Sequence, residues 1–232
     1  MTYRASSTAN DGGTTSVNVI TIPVPSAAQS GDAAVMAVLV NFADAISSLS
    51  QTGWTQLGPY DESSTDRLIL WTKTLTAGDI TAADVDVTFA GNGRLIGGMS
   101  TFNIGAQSSP FGTPVGGVTN TTTQSSIATT QANSDIFQVQ ASVFGGTGQT
   151  PLVTFPHGST DANPRTNFAS GVNVGISLGH IAATSTGTYG GGIMPGASTA
   201  TGYRSQAVLL EIKNAPAMGK LVVRRYNGTE WE

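Results

Sequence analysis

Runs of β-forming residues separated by turn residues follow one another along residues 31–103. Ala33–Val40 is apolar at every position, which predicts a central strand covered on both of its faces. Residues 85–89 instead alternate apolar and polar side chains, which predicts a strand with one buried face. Glycine and aspartate between the runs supply turns. This block therefore predicts a β-sheet protein.

The same kind of pattern continues through the rest of the chain. Further strands are predicted at residues 17–22, 54–57, 67–73, 94–102, 136–144, 152–155, 172–178 and 207–212. About ten short strands with frequent turns are typical of a sandwich or jelly roll. The sequence thus predicts an all-β, jelly-roll-like antiparallel β-sandwich over residues 1–212, with at most one helical turn near residues 79–84.

Two segments lack clear strand patterns. Residues 104–134 and 184–202 are rich in Ser, Thr and Gly, and both are predicted as long loops. For the first segment two interpretations stay open. It is either a loop of one domain that contains a single Thr-rich edge strand, or a linker between two domains.

Composition supports the fold class. Charged residues make up 10% of the chain, against about a quarter in typical globular proteins. Polarity comes instead from 55 serines and threonines and from 29 glycines, residues that favour strands and turns. There is no cysteine, so disulfides and thiolate metal sites are excluded.

The charge distribution bears on partners. The net charge is −4 and the pI is near 5.0, which argues against nucleic-acid binding. No apolar run approaches the roughly 18 residues of a membrane span, and no N-terminal secretory pattern is seen, so no membrane association is predicted.

Positive charge is concentrated at the C-terminus. Residues 213–232 are predicted to form a docking tail, a strand followed by a turn at Asn227-Gly228 and a return arm. An isolated hairpin is marginally stable in water, so its aromatic residues need a surface to pack against. The predicted docking residues are Lys220, Arg224, Arg225, Tyr226 and Trp231.

The sequence gives little support for a catalytic site. The two histidines, His157 and His180, lie in no nucleophile or base motif. A hydrolytic pair of His157 and Asp161 is conceivable but disfavoured, and Asp84 with Asp86 is better explained as an exposed strand edge than as a glycosidase pair. The protein is therefore predicted not to be an enzyme, and no cofactor is predicted.

A weak calcium site is the one metal hypothesis. Asp61, Glu62 and Asp66 cluster in one segment, and Ca²⁺ prefers several oxygen ligands. Their spacing does not match the EF-hand loop, so a solvated acidic loop is the preferred interpretation.

Aromatic residues divide into two groups. Trp54 and Trp71 accompany strand patterns and are predicted to lie in the core. Tyr60, Tyr189 and Tyr203 fall in predicted loops, where binding residues often lie, and are candidate glycan contacts.

The order of the motifs carries a family resemblance. Gly31-Asp32 before an apolar strand, Gly53-Trp54-Thr55, the Arg67-Leu-Ile-Leu-Trp71 strand and the strand ending at Phe102 follow in sequence. With the Tyr3-Arg4-Ala5-Ser6 opening, this order resembles a β-sandwich domain of minor tail and other virion structural proteins of tailed bacteriophages, especially those of actinobacteria. The resemblance covers residues 1–105 best.

That resemblance implies a function in the particle and offers no catalytic residues. It implies a virion protein, assembled in the host cytoplasm and most simply placed in the tail or tail tip. The implied partners are other virion proteins and copies of the same chain, with a trimer slightly favoured. Two alternatives stay open: a capsid decoration protein, and a lectin-like module that binds glycans of the host surface.

Overall fold

The computed structural model describes residues 3–10, 17–41, 46–61, 66–118, 123–145, 155, 157–162, 165–166, 172–193 and 204–215. The structure is 65% strand and 4% helix, and the paired strands are antiparallel. The prediction of an all-β, sandwich-like antiparallel fold is therefore confirmed.

Eight strands and one short helix form the first half of the chain. They are β1 (Tyr3–Asn10), β2 (Val17–Pro23), β3 (Ala33–Val40), β4 (Ile46–Leu49), β5 (Thr55–Asp61), β6 (Arg67–Thr74), α1 (Ala77–Ala82), β7 (Asp84–Gly93) and β8 (Leu95–Phe102). Sheet A has the order β1-β8-β3-β6-β5, and sheet B has the order β2-β7-β4. This is the strand order of a jelly roll, except that β5 joins the edge of sheet A.

A second set of strands follows residue 114. They are β9 (Val115–Val118), β10 (Thr123–Ala128), β11 (Ser134–Gly145), β12 (Ser159–Ala162), β13 (Arg165–Thr166), β14 (Val172–Ala183), β15 (Thr188–Ile193) and β16 (Arg204–Ile212). Sheet C has the order β12-β14-β11-β16-β9, with β13 also on β14, and sheet D pairs β10 with β15. Shifted by eight strands, β9-β16-β11-β14 repeats β1-β8-β3-β6, and β10-β15 repeats β2-β7. The second half is thus a second jelly-roll unit, except that β12, the counterpart of β4, pairs with β14 in sheet C instead of with β15.

Sheet A lies in the middle of the stack. Along β3, Ala33, Val35, Ala37 and Leu39 pack towards sheet C, and the alternate residues pack towards sheet B. Every residue of β3 is buried, as its apolar sequence predicts. A third, smaller apolar cluster lies between sheets C and D. The described sheets therefore stack in the order B, A, C, D.

Two adjacent glycines allow sheet A to be packed from both sides. A Cβ atom on Gly97 would lie 2.9 Å from Cδ1 of Ile22, in sheet B. A Cβ atom on Gly98 would lie 2.7 Å from Cδ1 of Leu178, in sheet C, and 2.5 Å from a backbone oxygen of β1. Side chains are excluded at these two positions because sheets B and C pack directly against the two faces of β8.

The two halves share one core, between sheets A and C. The ring of Phe102 meets the ring of Phe137 edge to face at 6.5 Å, and Tyr3 stacks on His180 at 4.1 Å. Sheets A and C also meet at the opposite end of their strands, where Gln206 Nε2 donates to the backbone oxygen of Asp66 at 3.2 Å. The single domain of residues 1–212 stays a prediction.

The prediction of long loops at residues 104–134 and 184–202 is wrong in part. The first segment contains β9 as well as the expected Thr-rich strand, β10, and the second contains β15. Their register pairs Gln124 with Gly192 and Ala128 with Thr188. These three strands are too polar or too glycine-rich to be recognised from their own sequence. They form because β10 pairs with β15 and β9 pairs with β16.

The predicted helical turn is real but begins earlier. Helix α1 starts after Thr76, whose hydroxyl accepts from the backbone N–H of Asp79 while Asp79 accepts from the backbone N–H of Thr76. This reciprocal capping box fixes the start of the helix.

Candidate functional site

The acidic segment behind the calcium hypothesis is only partly described. Asp66 is 1% exposed, and its carboxylate accepts from the side-chain amide of Asn41. The side chains of Asp61 and Glu62 lie outside the described residues. Within the described ranges, no three His, Asp or Glu side chains lie close enough to bind a metal ion together. The calcium site stays a prediction, with Asp66 directed into the protein.

The carboxylates of β7 have a structural explanation. Asp84 begins the strand and is exposed, and Asp86 accepts from the hydroxyl of Thr21 on β2 at 2.6 Å. Asp86 therefore takes part in a cross-strand pair of sheet B.

The tryptophans pack against the core between sheets A and B. Trp71 is 2% exposed, and Trp54 is partly buried against the same cluster with Nζ of Lys73 at 5.7 Å from its ring centroid. The prediction that Trp71 belongs to the core is confirmed, and Trp54 packs against the core without being fully buried.

Of the three candidate tyrosines, two are described. Tyr60 packs against the core between sheets A and C, and burial raises the pKa of its hydroxyl above the ordinary value of 10.0. Tyr203 lies outside the described residues. Tyr189 lines a cleft, so the structure gives one of the three a concave setting.

That cleft, here named the His157–Tyr189 cleft, lies on the outer side of sheet C. Its volume is about 300 Å³. The lining residues are His157, Gly158, Ile181, Thr188, Tyr189 and Gly190. The structure thus brings a histidine that carries no catalytic motif to a tyrosine from a different part of the chain.

Tyr189 forms one wall of the cleft, and both its ring and its hydroxyl group are held in place. The ring of Tyr189 packs against the apolar cluster between sheets C and D, which includes Ile127 and Ile181. Its hydroxyl donates to the backbone oxygen of Ser185 at 2.8 Å. The phenol therefore presents a fixed aromatic surface.

The histidine wall is held by a chain of buried amides. The backbone oxygen of His157 accepts from Nε2 of Gln138 at 2.8 Å, and Oε1 of Gln138 accepts from Nε2 of Gln124 at 3.1 Å. Gln138 lies on β11 and Gln124 on β10, which also pairs with the strand of Tyr189. The amide chain consequently fixes the two walls relative to each other.

Glycine at position 158 allows the chain next to His157 to lie close to the backbone of His180 on β14. Its φ is +77°, and a Cβ atom there would lie 2.2 Å from the backbone oxygen of His180. Only glycine fits both the conformation and the space. The side chain of Asp161, the hypothetical partner of His157 in hydrolysis, lies outside the described residues.

Sequence reasoning missed the remaining lining residues. Ile181 and Thr188 are ordinary strand residues, and they reach the cleft only because sheet D folds over sheet C. The one local signal is the glycine run after Tyr189, where Gly190 and Gly191 have φ of +76° and +79°.

A second concave surface runs along the edge of sheet A. This β5-edge groove has a volume of about 420 Å³ and is lined by Gly53, Thr55, Leu57, Thr72, Lys73, Thr74 and residues 108–112. Within the described chain, β5 pairs with β6 alone.

Lys73 of this groove forms a mostly buried ion pair. Its Nζ lies 2.6 Å from Oδ1 of Asp79, and Oδ2 of Asp79 accepts from the backbone N–H and hydroxyl of Thr76, each at 2.8 Å. Burial alone raises the pKa of Asp79, but the hydrogen bonds and positive charge outweigh it and lower the pKa below 3.8.

We therefore expect this ion pair to stabilise the protein in a pH-dependent way. Because the pKa of Asp79 is lower in the folded than in the unfolded state, the stabilisation is complete above about pH 4 and is lost as the pH falls through the folded value. Asp79→Asn should lower the free energy of unfolding at pH 7 by about 2 kcal/mol. Urea unfolding between pH 7 and pH 2.5 measures both effects. Equal pH dependence in Asp79→Asn and the parent would contradict this prediction, and Asp84→Asn, at an exposed position, is the matched control.

The first residues of the predicted docking tail are bonded to the domain. The backbone N–H of Lys213 donates to Pro110 at 2.6 Å, and that of Ala215 donates to Ile104 at 3.0 Å. The side chain of Gln131 donates to the backbone oxygen of Asn214. Residues 216–232, which include all five predicted docking residues, lie outside the described chain.

No protein-family model, curated protein or solved structure matches the chain. The resemblance to phage virion proteins therefore stays a prediction. Among the described residues, no helix has the length and apolar character needed to cross a membrane.

Proposed function

We propose that the protein is a non-enzymatic structural component of a tailed bacteriophage particle, placed in the tail or tail tip. The observation that carries the proposal is the arrangement of sheets, two jelly-roll units stacked through a shared core, with edge strands that pair on one side only among the described residues. Jelly rolls are common in viral capsid and lectin domains. A shared fold is an analogy, so the surfaces have to support the rest.

The edge of sheet A fits a subunit that has neighbours. An edge strand presents unpaired backbone groups that can pair with another chain. The groove along β5 is lined mainly by hydroxyl-bearing and small residues and carries one lysine, which is already paired with Asp79. A low-charge edge of this kind suits contact with another subunit better than long exposure to solvent.

The C-terminal segment supports the same proposal. The hydrogen bond of Ala215 fixes the position from which residues 216–232 continue. Those residues carry Lys220, Arg224 and Arg225 on an otherwise acidic chain, together with Tyr226 and Trp231. We propose that they bind a neighbouring subunit, either another virion protein or a copy of the same chain in a homo-oligomer.

Particle incorporation tests the proposal. Truncation after Ala215 preserves the hydrogen bonds of residues 213–215, so the shortened protein should fold with an unchanged melting temperature. It should fail to copurify with particles, whereas Arg224→Lys with Arg225→Lys, which keeps both charges, should be incorporated.

Incorporation of the truncated protein at the parental level would refute the docking role. Gold labelling of the parental protein in electron micrographs separates the two placements within the particle. Label on the tail or its tip supports the proposal, and label over the capsid supports the decoration alternative instead.

A further inference from the structure

We propose that the His157–Tyr189 cleft binds a single neutral sugar ring. This inference goes beyond the assembly role, since the cleft lies on the outer side of sheet C and includes no residue of the β5-edge groove or the C-terminal tail. It rests on the geometry of described residues and can be tested on the isolated protein.

The aromatic wall supplies the main contact. One face of a pyranose carries C–H bonds with partial positive charge, and the face of a phenol ring is its electronegative counterpart. Tyr189 is fixed by the apolar cluster beneath it and by its hydrogen bond to Ser185. Gly190 lines the cleft beside it, and its missing side chain leaves room for Leu209 of β16, 2.7 Å from where a Cβ atom would lie.

The rest of the cleft supplies polar groups at its rim and an apolar floor. His157 is exposed and brings an imidazole, Thr188 brings a hydroxyl group, and Ile181 is buried beneath them. Sugar hydroxyl groups both donate and accept, so they match an imidazole and an alcohol whichever way each hydrogen bond runs.

Charge and size narrow the ligand class. None of the described lining residues is a carboxylate, lysine or arginine, so their side chains match an uncharged ligand better than a phosphate, a carboxylate or a metal ion. A volume of about 300 Å³ is at the small end of ligand pockets, which run from about 300 to 1,000 Å³. One ring fits this volume better than a long oligosaccharide or a nucleotide.

The cleft is also preorganised. Gln124 and Gln138 are 2% and 0% exposed, and their hydrogen bonds join the strand beside Tyr189 to the backbone of His157. Little ordering is left to occur on binding, which lowers the entropic cost of taking up a small ligand.

Solution NMR of the isolated protein tests the proposal. Methyl glycosides of glucose, galactose, mannose and N-acetylglucosamine are each added up to about 20 mM, a range suited to millimolar affinity. At least one should shift the backbone amide signals of Gly158, Thr188 and Gly190 in a saturable way. The amides of Thr55 and Thr72, in the β5-edge groove, should stay unshifted.

Variants identify the contacts. His157→Ala removes an exposed side chain and should weaken binding about tenfold, as should Tyr189→Ala. Tyr189→Phe keeps the aromatic face and should bind within about threefold of the parent. Melting curves establish that each variant is folded, and His157→Ala remains informative if Tyr189→Ala does not fold.

Several results would overturn the proposal. They are the absence of any saturable shift with all four glycosides, shifts that fall outside the cleft, and unchanged binding by His157→Ala and Tyr189→Ala. Saturable binding of N-acetyltryptophan amide at the cleft, without binding of any glycoside, would assign the surface to a peptide partner instead. None of these results bears on particle incorporation, so the two proposals fail independently.

Discussion

Replacement of Phe137 with alanine is expected to lower the free energy of unfolding by about 4 kcal/mol. The ring is 0% exposed, lies near the start of β11 and packs edge to face on Phe102, which belongs to the first jelly-roll unit. Its removal leaves a cavity between sheets A and C, which neither unit can close without moving the other. The loss of stability should therefore affect both jelly-roll units.

Tryptophan fluorescence during urea unfolding can detect this coupling. Trp54 and Trp71 lie in the first half of the chain, whereas the substitution is in the second. In a Trp231→Phe background, which leaves only these two tryptophans, the fluorescence transition should move to lower urea together with the circular dichroism transition if the halves share a core. Phe137→Leu, which keeps most of the volume, should cost about 1 kcal/mol. A tryptophan transition that does not move in Phe137→Ala would mean that the halves unfold independently.

Glu211→Ala should cost about 3 kcal/mol, since it leaves buried donors without their charged acceptor. The carboxylate is 2% exposed and accepts from the backbone N–H of Thr130 at 2.9 Å and that of Gln131 at 3.1 Å. It also accepts from the hydroxyl groups of Thr130 at 2.8 Å and Ser134 at 3.0 Å. One side chain of β16 thus holds the turn that leads into β11.

Hydrogen exchange together with urea unfolding tests this role. In Glu211→Ala the amides of Thr130 and Gln131 should exchange much faster, while those of β3 should change only in line with global stability. Glu211→Gln keeps one acceptor oxygen and should cost about 1 kcal/mol. Unchanged protection of both turn amides in Glu211→Ala would show that the carboxylate does not order the turn.

The extent to which the sequence predicts this molecule differs between its two halves. In the first half, apolar runs such as that of β3 are strong enough to place strands correctly, because each is buried on both faces. In the second half, β9, β10 and β15 contain mainly Gly, Ser and Thr, and their order depends on pairing with distant strands. The internal repeat leaves no pattern of side chains in the sequence, since it is preserved in the strand order alone.

The candidate site was less predictable than the fold. Tyr189 was proposed from its loop-like setting, and that setting was wrong because it lies on β15. Its meeting with His157 depends on Gly158 and on the Gln124–Gln138 hydrogen bond, neither of which leaves a local motif in the sequence. A cleft built by one sheet folding over another is a long-range property, which spacing along the chain does not encode.

The first and last described residues, Tyr3 and Ala215, lie near each other in the fold. Tyr3 pairs with Phe102, and the N–H of Ala215 bonds to Ile104 two residues further on, so the first and last described residues lie at the same end of the strands of sheet A. Val40, which pairs with Arg67 and Leu95, lies at the opposite end. Spin labels attached at residues 3 and 215 would therefore lie close together, and a label at residue 40 would lie far from both.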